Sequence, residues 1–200
     1  MIVLDVETTG LSSEKNSILS IGALDLDEPT NQFYDECRAW DGADISDEAL
    51  TVNGFTREEA LDASRKSEAD LIKAFCAWAT DRPKERTLAS QNIAFDRAFV
   101  EAACDRADIE FPFAHRTIDT HTLVWLHMTE RGITPPQKNG HSGISLTAAL
   151  EYVGLPEEPK PHNGLTGALC HAEIISRVAY NKKLLEDFSN YDIPWIPRET

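Results

Sequence analysis

The stretch Met1-Ile-Val-Leu-Asp5-Val-Glu7-Thr-Thr-Gly10 places two carboxylates in an apolar run that ends at a Thr-Thr-Gly turn. Side chains alternate between the faces of a β-strand, so Asp5 and Glu7 would project to the same side and the apolar residues into a core. Carboxylates at such neighbouring positions repel each other unless a cation lies between them, and hard oxygen ligands suit Mg²⁺ or Mn²⁺. The alternative is an edge strand with a solvated acidic face, which fits less well because the strand is so apolar.

The composition is that of an ordinary globular protein with one domain. The chain has 200 residues, of which 42% are hydrophobic and 26% charged, and this length is sufficient for one core. No apolar run approaches a membrane span, and no basic region precedes the first strand, so we expect neither a membrane protein nor a signal peptide. The four cysteines lack CxxC spacing, which favours reduced thiols in the cytoplasm.

The charge restricts the kind of nucleic-acid partner that the chain could have. A formal net charge of −15 argues against a protein that coats long nucleic acid by neutralising its phosphates. It leaves room for a nucleic-acid enzyme whose metal ions supply the local positive charge. The basic residues form no stripe, so the predicted substrate is a short single-stranded end with few phosphate contacts.

Strand and helix patterns are mixed along the chain and predict an α/β layered fold. Residues 17–25 and 31–38 would continue an antiparallel meander, with the turn between them at 27–30, including Pro29. Pro83 is expected to end the helix over 67–80, and residues 132–143 to form a mobile loop. The other predicted elements are short strands at 87–90 and 117–120, helices at 46–52, 94–107, 122–129, 145–152 and 162–181, and a proline-containing linker at 156–161.

Two further segments carry side chains suited to catalysis. The segment Ser90-Gln-Asn92-Ile-Ala-Phe-Asp96 runs from a short strand into a helix, which Asn92 could cap. Asp96 could simply complement the helix dipole, but beside Asp5 and Glu7 it also fits a metal site, which needs carboxylates from several elements. His162 lies at or just before the last helix, where a lone histidine is usually a surface residue.

In this order, Asp5-Val-Glu7-Thr-Thr-Gly, Asn92-Ile-Ala-Phe-Asp96 and His162 resemble the motifs of the DnaQ-like (DEDDh) 3′→5′ exonuclease superfamily. The resemblance implies an exonuclease domain over residues 1–182, followed by a C-terminal tail over 183–200. It implies an RNase H-like mixed sheet, with an antiparallel meander and then parallel strands, flanked by helices. Members of this superfamily remove nucleotides from a 3′ end and release nucleoside monophosphates.

The same resemblance implies a role for each matching residue. Asp5, Glu7 and Asp96 would hold Mg²⁺ or Mn²⁺, with two ions expected and a single ion left open. His162 would be the general base that accepts a proton from the attacking water near neutral pH. The implied substrate-binding positions are Thr8, Thr9, Leu11 and Asn92. Turn and core positions are the alternative roles for the first three of these.

The third motif departs from the family pattern, because Gly167 stands where the fourth carboxylate is expected. His171, one helical turn later on the same face, could reach back as a replacement ligand and shift the preference toward Mn²⁺; the alternative for His171 is a partly buried helix residue. A second explanation is a site with three carboxylates and water. A third is lost catalysis.

The sequence thus predicts a metal-dependent 3′→5′ exonuclease acting on single-stranded DNA or RNA ends. The alternative is a catalytically impaired 3′-end-binding or scaffold protein of the same fold, and it rests on Gly167. Preference for DNA or RNA stays open. So do a homodimer, which some relatives form, and a polymerase partner.

Overall fold

The fold comes from a computed structural model that describes residues 1–81 and 85–197. Its strands are β1 (Ile2–Thr8), β2 (Ile18–Asp25), β3 (Glu28–Glu36), β4 (Leu88–Ser90), β5 (Thr117–Asp119), β6 (Gln137–Lys138) and β7 (His141–Ser142). Its helices are α1 (Asp47–Asn53), α2 (Arg57–Leu61), α3 (Glu68–Thr80), α4 (Ala94–Arg106), α5 (Thr120–Glu130), α6 (Leu146–Tyr152) and α7 (Gly164–Tyr180). A 3₁₀ turn spans Glu186–Phe188.

The main sheet has the order β3-β2-β1-β4-β5 within the described part of the chain. The β1–β2 and β2–β3 pairs are antiparallel, whereas β4 pairs in parallel with both β1 and β5. This arrangement confirms the predicted mixed sheet flanked by helices. The strand that carries Asp5 and Glu7 lies in the middle of it, so the solvated edge-strand alternative is wrong.

The two faces of β1 pack against different helices, as the alternation of its residues predicts. Ile2 and Leu4 are fully buried in a core that includes Phe75 of α3 and Phe99 of α4. Val3, on the opposite face, packs against α7 residues. Asp5 and Glu7 share the face of Val3, and they therefore lie on the side of the sheet that α7 covers.

Several local predictions are wrong for identifiable reasons. β3 begins at Glu28, so the turn is shorter than predicted and Pro29 lies inside the strand; an edge strand tolerates this because its outer N–H groups need no partner. Asn92 does not cap α4. It adopts φ 57° in the left-handed region that asparagine tolerates, and the N-cap is Ile93. Within the segment predicted as a mobile loop, residues 137–142 form the β6–β7 hairpin, and the mobility of that loop stays a prediction.

The last helix begins two residues later than predicted, at Gly164, because the Asn163 side chain accepts hydrogen bonds from the backbone N–H groups of Leu165 and Thr166. His162 thus lies just before the helix. The predicted end of the helix before Pro83 falls on residues outside the described ranges, although α3 itself ends at Thr80.

Residues that follow α7 pack back onto it. Leu185 and Ile193 are buried, and the Arg177 guanidinium donates to backbone carbonyls of Phe188 and Tyr191. The division between a domain at 1–182 and a tail at 183–200 stays a prediction, and residues 198–200 of that tail lie outside the described ranges. None of the described helices has the length and apolar character needed to cross a membrane.

Candidate active site

Asp5 and Glu7 are brought under α7 by a close contact between two backbones. A Cβ atom on Gly22 of β2 would lie 2.1 Å from the carbonyl carbon of Gly164, so only glycine fits there. This contact sets the first turn of α7 directly on the β1–β2 pair. The Asp5 side chain remains 24% exposed, whereas Glu7 is 8% exposed. The two carboxylates therefore face a partly open site beneath the start of the helix.

Asp96 joins this site from α4. It is 3% exposed, and its Oδ1 atom accepts a hydrogen bond of 3.2 Å from the Val6 backbone N–H. That bond ties the first turns of α4 to β1 between Asp5 and Glu7. Asp96 therefore does more than complement the helix dipole, because its carboxylate lies beside those of Asp5 and Glu7.

The carboxylates alter one another's pKa. Burial raises the pKa of Asp5 well above its usual range, and the charge of Glu158 raises it further. Burial, followed by Asp5, Glu158 and Asp96, raises the pKa of Glu7 to about 9. The pKa of Asp96 is also raised, first by burial and then by Asp5. Burial and mutual repulsion therefore disfavour the simultaneous ionisation of these carboxyl groups unless a cation compensates their charge.

The face of α7 above the cluster presents Gly167 and His171. A Cβ at position 167 would lie 2.2 Å from Asp5 Oδ2, so the Asp5 carboxylate occupies the space of the absent side chain. His171 is 2% exposed, and its Nε2 lies 3.5 Å from Asp5 Oδ1. Burial lowers the pKa of His171, which favours the neutral ring, and its Nδ1 is buried without a hydrogen-bond partner.

The His162 ring contacts Glu158, a residue of the loop that precedes α7. Its Nδ1 lies 3.4 Å from Glu158 Oε2, and among the described residues its ring forms no hydrogen bond or ion pair with Asp5, Glu7 or Asp96. Glu158 is the residue that sequence reasoning missed. It lies in the predicted linker, where nothing in the sequence distinguishes it from Glu157, and only the folded path of the loop brings it to the site.

The predicted substrate-binding residues differ in how free their side chains are. The Thr8 hydroxyl donates to the Gly10 carbonyl at 2.7 Å, and the Thr9 hydroxyl donates to the Asp44 carbonyl at 2.7 Å. Both hydroxyls therefore hold the turn after β1. Leu11 is 88% exposed and Asn92 is also exposed, so these two side chains are free to contact a ligand.

As the side chains stand, residues 1–81 and 85–197 contain no group of three or more His, Cys, Asp or Glu arranged to hold a metal ion. The chemistry of the donors nevertheless fits a cation. Buried carboxylates that repel one another, beside the neutral imidazole of His171, are groups that a divalent ion would stabilise. Asp5, Glu7, Asp96 and His171 are the residues that could hold it.

Comparisons with known proteins assign the chain to a family. The profile of the RNase_T family, described as an exonuclease, matches residues 2–175. A Ribonuclease T of Shewanella baltica is 31% identical over 204 aligned residues, which cover 92% of this chain and 83% of that protein.

Two solved structures illustrate the similarity in fold. The nuclease domain of 3′hExo, a DEDDh family member bound to rAMP, superposes with a TM-score of 0.68 at 19% identity, covering 92% of this chain and 94% of that one. Apo Exonuclease I gives 0.70 at 15% identity, covering 90% of this chain and 42% of that one. At such identities the superpositions show the fold alone.

Proposed function

Since the chain belongs to the RNase_T exonuclease family, within the DnaQ-like 3′→5′ exonucleases, we propose that it is a metal-dependent 3′→5′ exonuclease of single-stranded DNA or RNA. Its products would be nucleoside monophosphates. The observation that carries the proposal is the convergence of Asp5 and Glu7 from β1 with Asp96 from α4, in a buried cluster whose members raise one another's pKa. Such a cluster is suited to a divalent cation.

Each residue has a role in this proposal. Asp5, Glu7 and Asp96 hold Mg²⁺ or Mn²⁺, and the neutral ring of His171 adds a nitrogen ligand beside Asp5. The bound cations would activate the attacking water and stabilise charge on the leaving 3′ oxygen. His162 accepts the proton of that water.

Substrate would enter from the open side of the cluster. Leu11 is exposed at the end of the turn that follows β1, and Asn92 is exposed before α4. We assign both to the terminal nucleotide, whereas Thr8 and Thr9 support the turn that carries Leu11. The net charge of −15 favours a short single-stranded end, because few phosphates could be neutralised elsewhere on the protein.

A gel assay with 5′-labelled single-stranded DNA and RNA tests the proposal. A ladder shortened from the 3′ end with Mg²⁺ or Mn²⁺, and abolished by a chelator, supports it. Stable oligonucleotides with both ions reject it. Asp96→Asn should abolish cleavage, because the isosteric amide keeps the shape of the carboxylate and removes its charge.

Gly167 favours a second candidate, an impaired protein of the same fold that binds 3′ ends without cleaving them. It predicts that a labelled oligonucleotide is retained in a binding assay while its length stays unchanged. His171→Ala adds a further comparison, since it should weaken Mn²⁺ binding only if the ring is a ligand. Cytoplasmic location, a homodimer and a polymerase partner stay predictions from the sequence.

A further inference from the structure

Because residue 167 is glycine, the third motif does not supply the fourth carboxylate of the acidic cluster. An aspartate there would begin 2.2 Å from Asp5 Oδ2, so α7 cannot supply a fourth carboxylate at that point while Asp5 keeps its position. Any further acidic group must come from another element that reaches the same space. The loop between α6 and α7 provides one.

Glu158 extends from this loop into the protein. Its side chain is only 6% exposed, and its Oε2 lies 3.4 Å from His162 Nδ1. The Thr166 hydroxyl, in the first turn of α7, donates to Oε1 at 3.1 Å. One side of the carboxylate is therefore fixed by the start of the helix that covers Asp5. Its neighbour Glu157 is exposed.

The charge of Glu158 acts on the carboxylate cluster. This charge is the largest contribution from another charged group to the raised pKa of Asp5, and it also acts on Glu7 and His171. In the part of the chain that the structure describes, neither lysine nor arginine is hydrogen-bonded to it or forms an ion pair with it. Its partner His162 is a cation only when protonated, and a buried carboxylate without a cationic partner is costly.

From this geometry we infer that Glu158 is the fourth carboxylate of the site and a ligand of its divalent cation, in place of the residue absent at 167. A second observation favours a cation in this cluster, since the His171 ring is 2% exposed, its Nε2 lies 3.5 Å from Asp5 Oδ1 and its Nδ1 has no hydrogen-bond partner. The inference rests on the proposed function, because it assigns a further ligand to the same cation.

Mn²⁺ titration of the whole protein, followed by isothermal calorimetry, tests this inference. Glu158→Gln keeps the size of the side chain and removes its charge, and Glu157→Gln makes the same change at the exposed neighbouring position. We expect Glu158→Gln to weaken Mn²⁺ binding by about tenfold or more, or to remove one binding site, while Glu157→Gln binds like the unaltered protein. Melting temperatures without metal verify that both variants are folded.

The outcomes separate this inference from the proposed function. If the unaltered protein and Glu158→Gln bind Mn²⁺ equally, Glu158 is not a ligand, although the exonuclease proposal stands. A loss of cleavage by Glu158→Gln with unchanged Mn²⁺ binding also overturns the inference and leaves Glu158 a partner of His162. If the unaltered protein neither binds Mn²⁺ nor cleaves, both proposals fail.

Discussion

Gly167 and Asp5 share one space: a Cβ atom at position 167 would lie 2.2 Å from Oδ2 and 2.7 Å from Cγ of Asp5. Any side chain at 167 must therefore shift the Asp5 carboxylate from its position. We expect Gly167→Ala to lower kcat/KM by about 100-fold, since displacing a catalytic group by about 1 Å has an effect of this order. The assay is cleavage of a 5′-labelled oligonucleotide.

Gly167→Asp is the informative companion, because it introduces the carboxylate that the third motif lacks. The same clash predicts a loss comparable with that of Gly167→Ala. If the site were crippled only by the missing charge, the aspartate would instead raise activity while the alanine lowered it. That pattern would contradict the expectation that any side chain at position 167 lowers activity by moving the Asp5 carboxylate.

Leu11 should contribute to substrate affinity and not to folding. It is 88% exposed, so truncation to alanine removes little packing within the protein. A leucine that becomes buried against the terminal nucleotide contributes about 1.5–3 kcal/mol, so we expect Leu11→Ala to raise KM by about 10- to 100-fold. Leu61→Ala, at a leucine that is 59% exposed on α2, is the control. Equal KM values for both variants would remove Leu11 from the substrate site.

The sequence predicted those parts of the site that depend on local geometry. Asp5 and Glu7 share a face because strand side chains alternate with a period of two, and this needs no knowledge of the rest of the fold. Asp96 was a candidate from its residue type and from the family resemblance, whereas its bond to the Val6 N–H joins residues 90 apart in the sequence and could not be predicted. A pattern of hydrophobic residues contains no information about such a contact.

Other features depended on the folded path of the chain and could not be predicted. Glu158 lies in a loop without periodicity, and its burial follows from how that loop approaches the start of α7. Proline favours turns and so predicts one at Pro29, whereas the position of β3 at the sheet edge permits this residue within a strand. Neither property is encoded in the residues immediately around these positions.

Arg177 should be essential for stability. Its side chain is 0% exposed, it pairs with the equally buried Glu173 at 2.7 Å, and it donates to the carbonyls of Val153 and Phe188 among others. Arg177→Met would leave the Glu173 carboxylate buried without its cation, at a cost of about 3–5 kcal/mol. Urea unfolding measures this loss against Arg116→Met, an exposed control. Equal losses would show that the buried pair is dispensable.

His127 makes stability depend on pH through the contact between α5 and the C-terminal segment. Its Nδ1 lies 2.7 Å from the Tyr152 hydroxyl, and its ring packs 4.4 Å from that of Trp195. Burial, followed by the charge of Arg131, lowers the pKa of His127, whereas Glu130 opposes the shift. The unfolded chain therefore binds a proton at higher pH than the folded protein does, so this contribution to stability falls as pH decreases below the usual histidine pKa of about 6.5.

We therefore expect acidification from pH 7 to pH 5 to destabilise the unaltered protein more than it destabilises His127→Gln, whose amide does not titrate. Urea unfolding at both pH values measures this difference, which is independent of other titrating groups because both proteins retain them. His141→Gln, in the exposed β6–β7 hairpin, is the control. The prediction is wrong if His127→Gln and the unaltered protein lose the same free energy of unfolding on acidification. His127 would then not be a source of the pH dependence of stability.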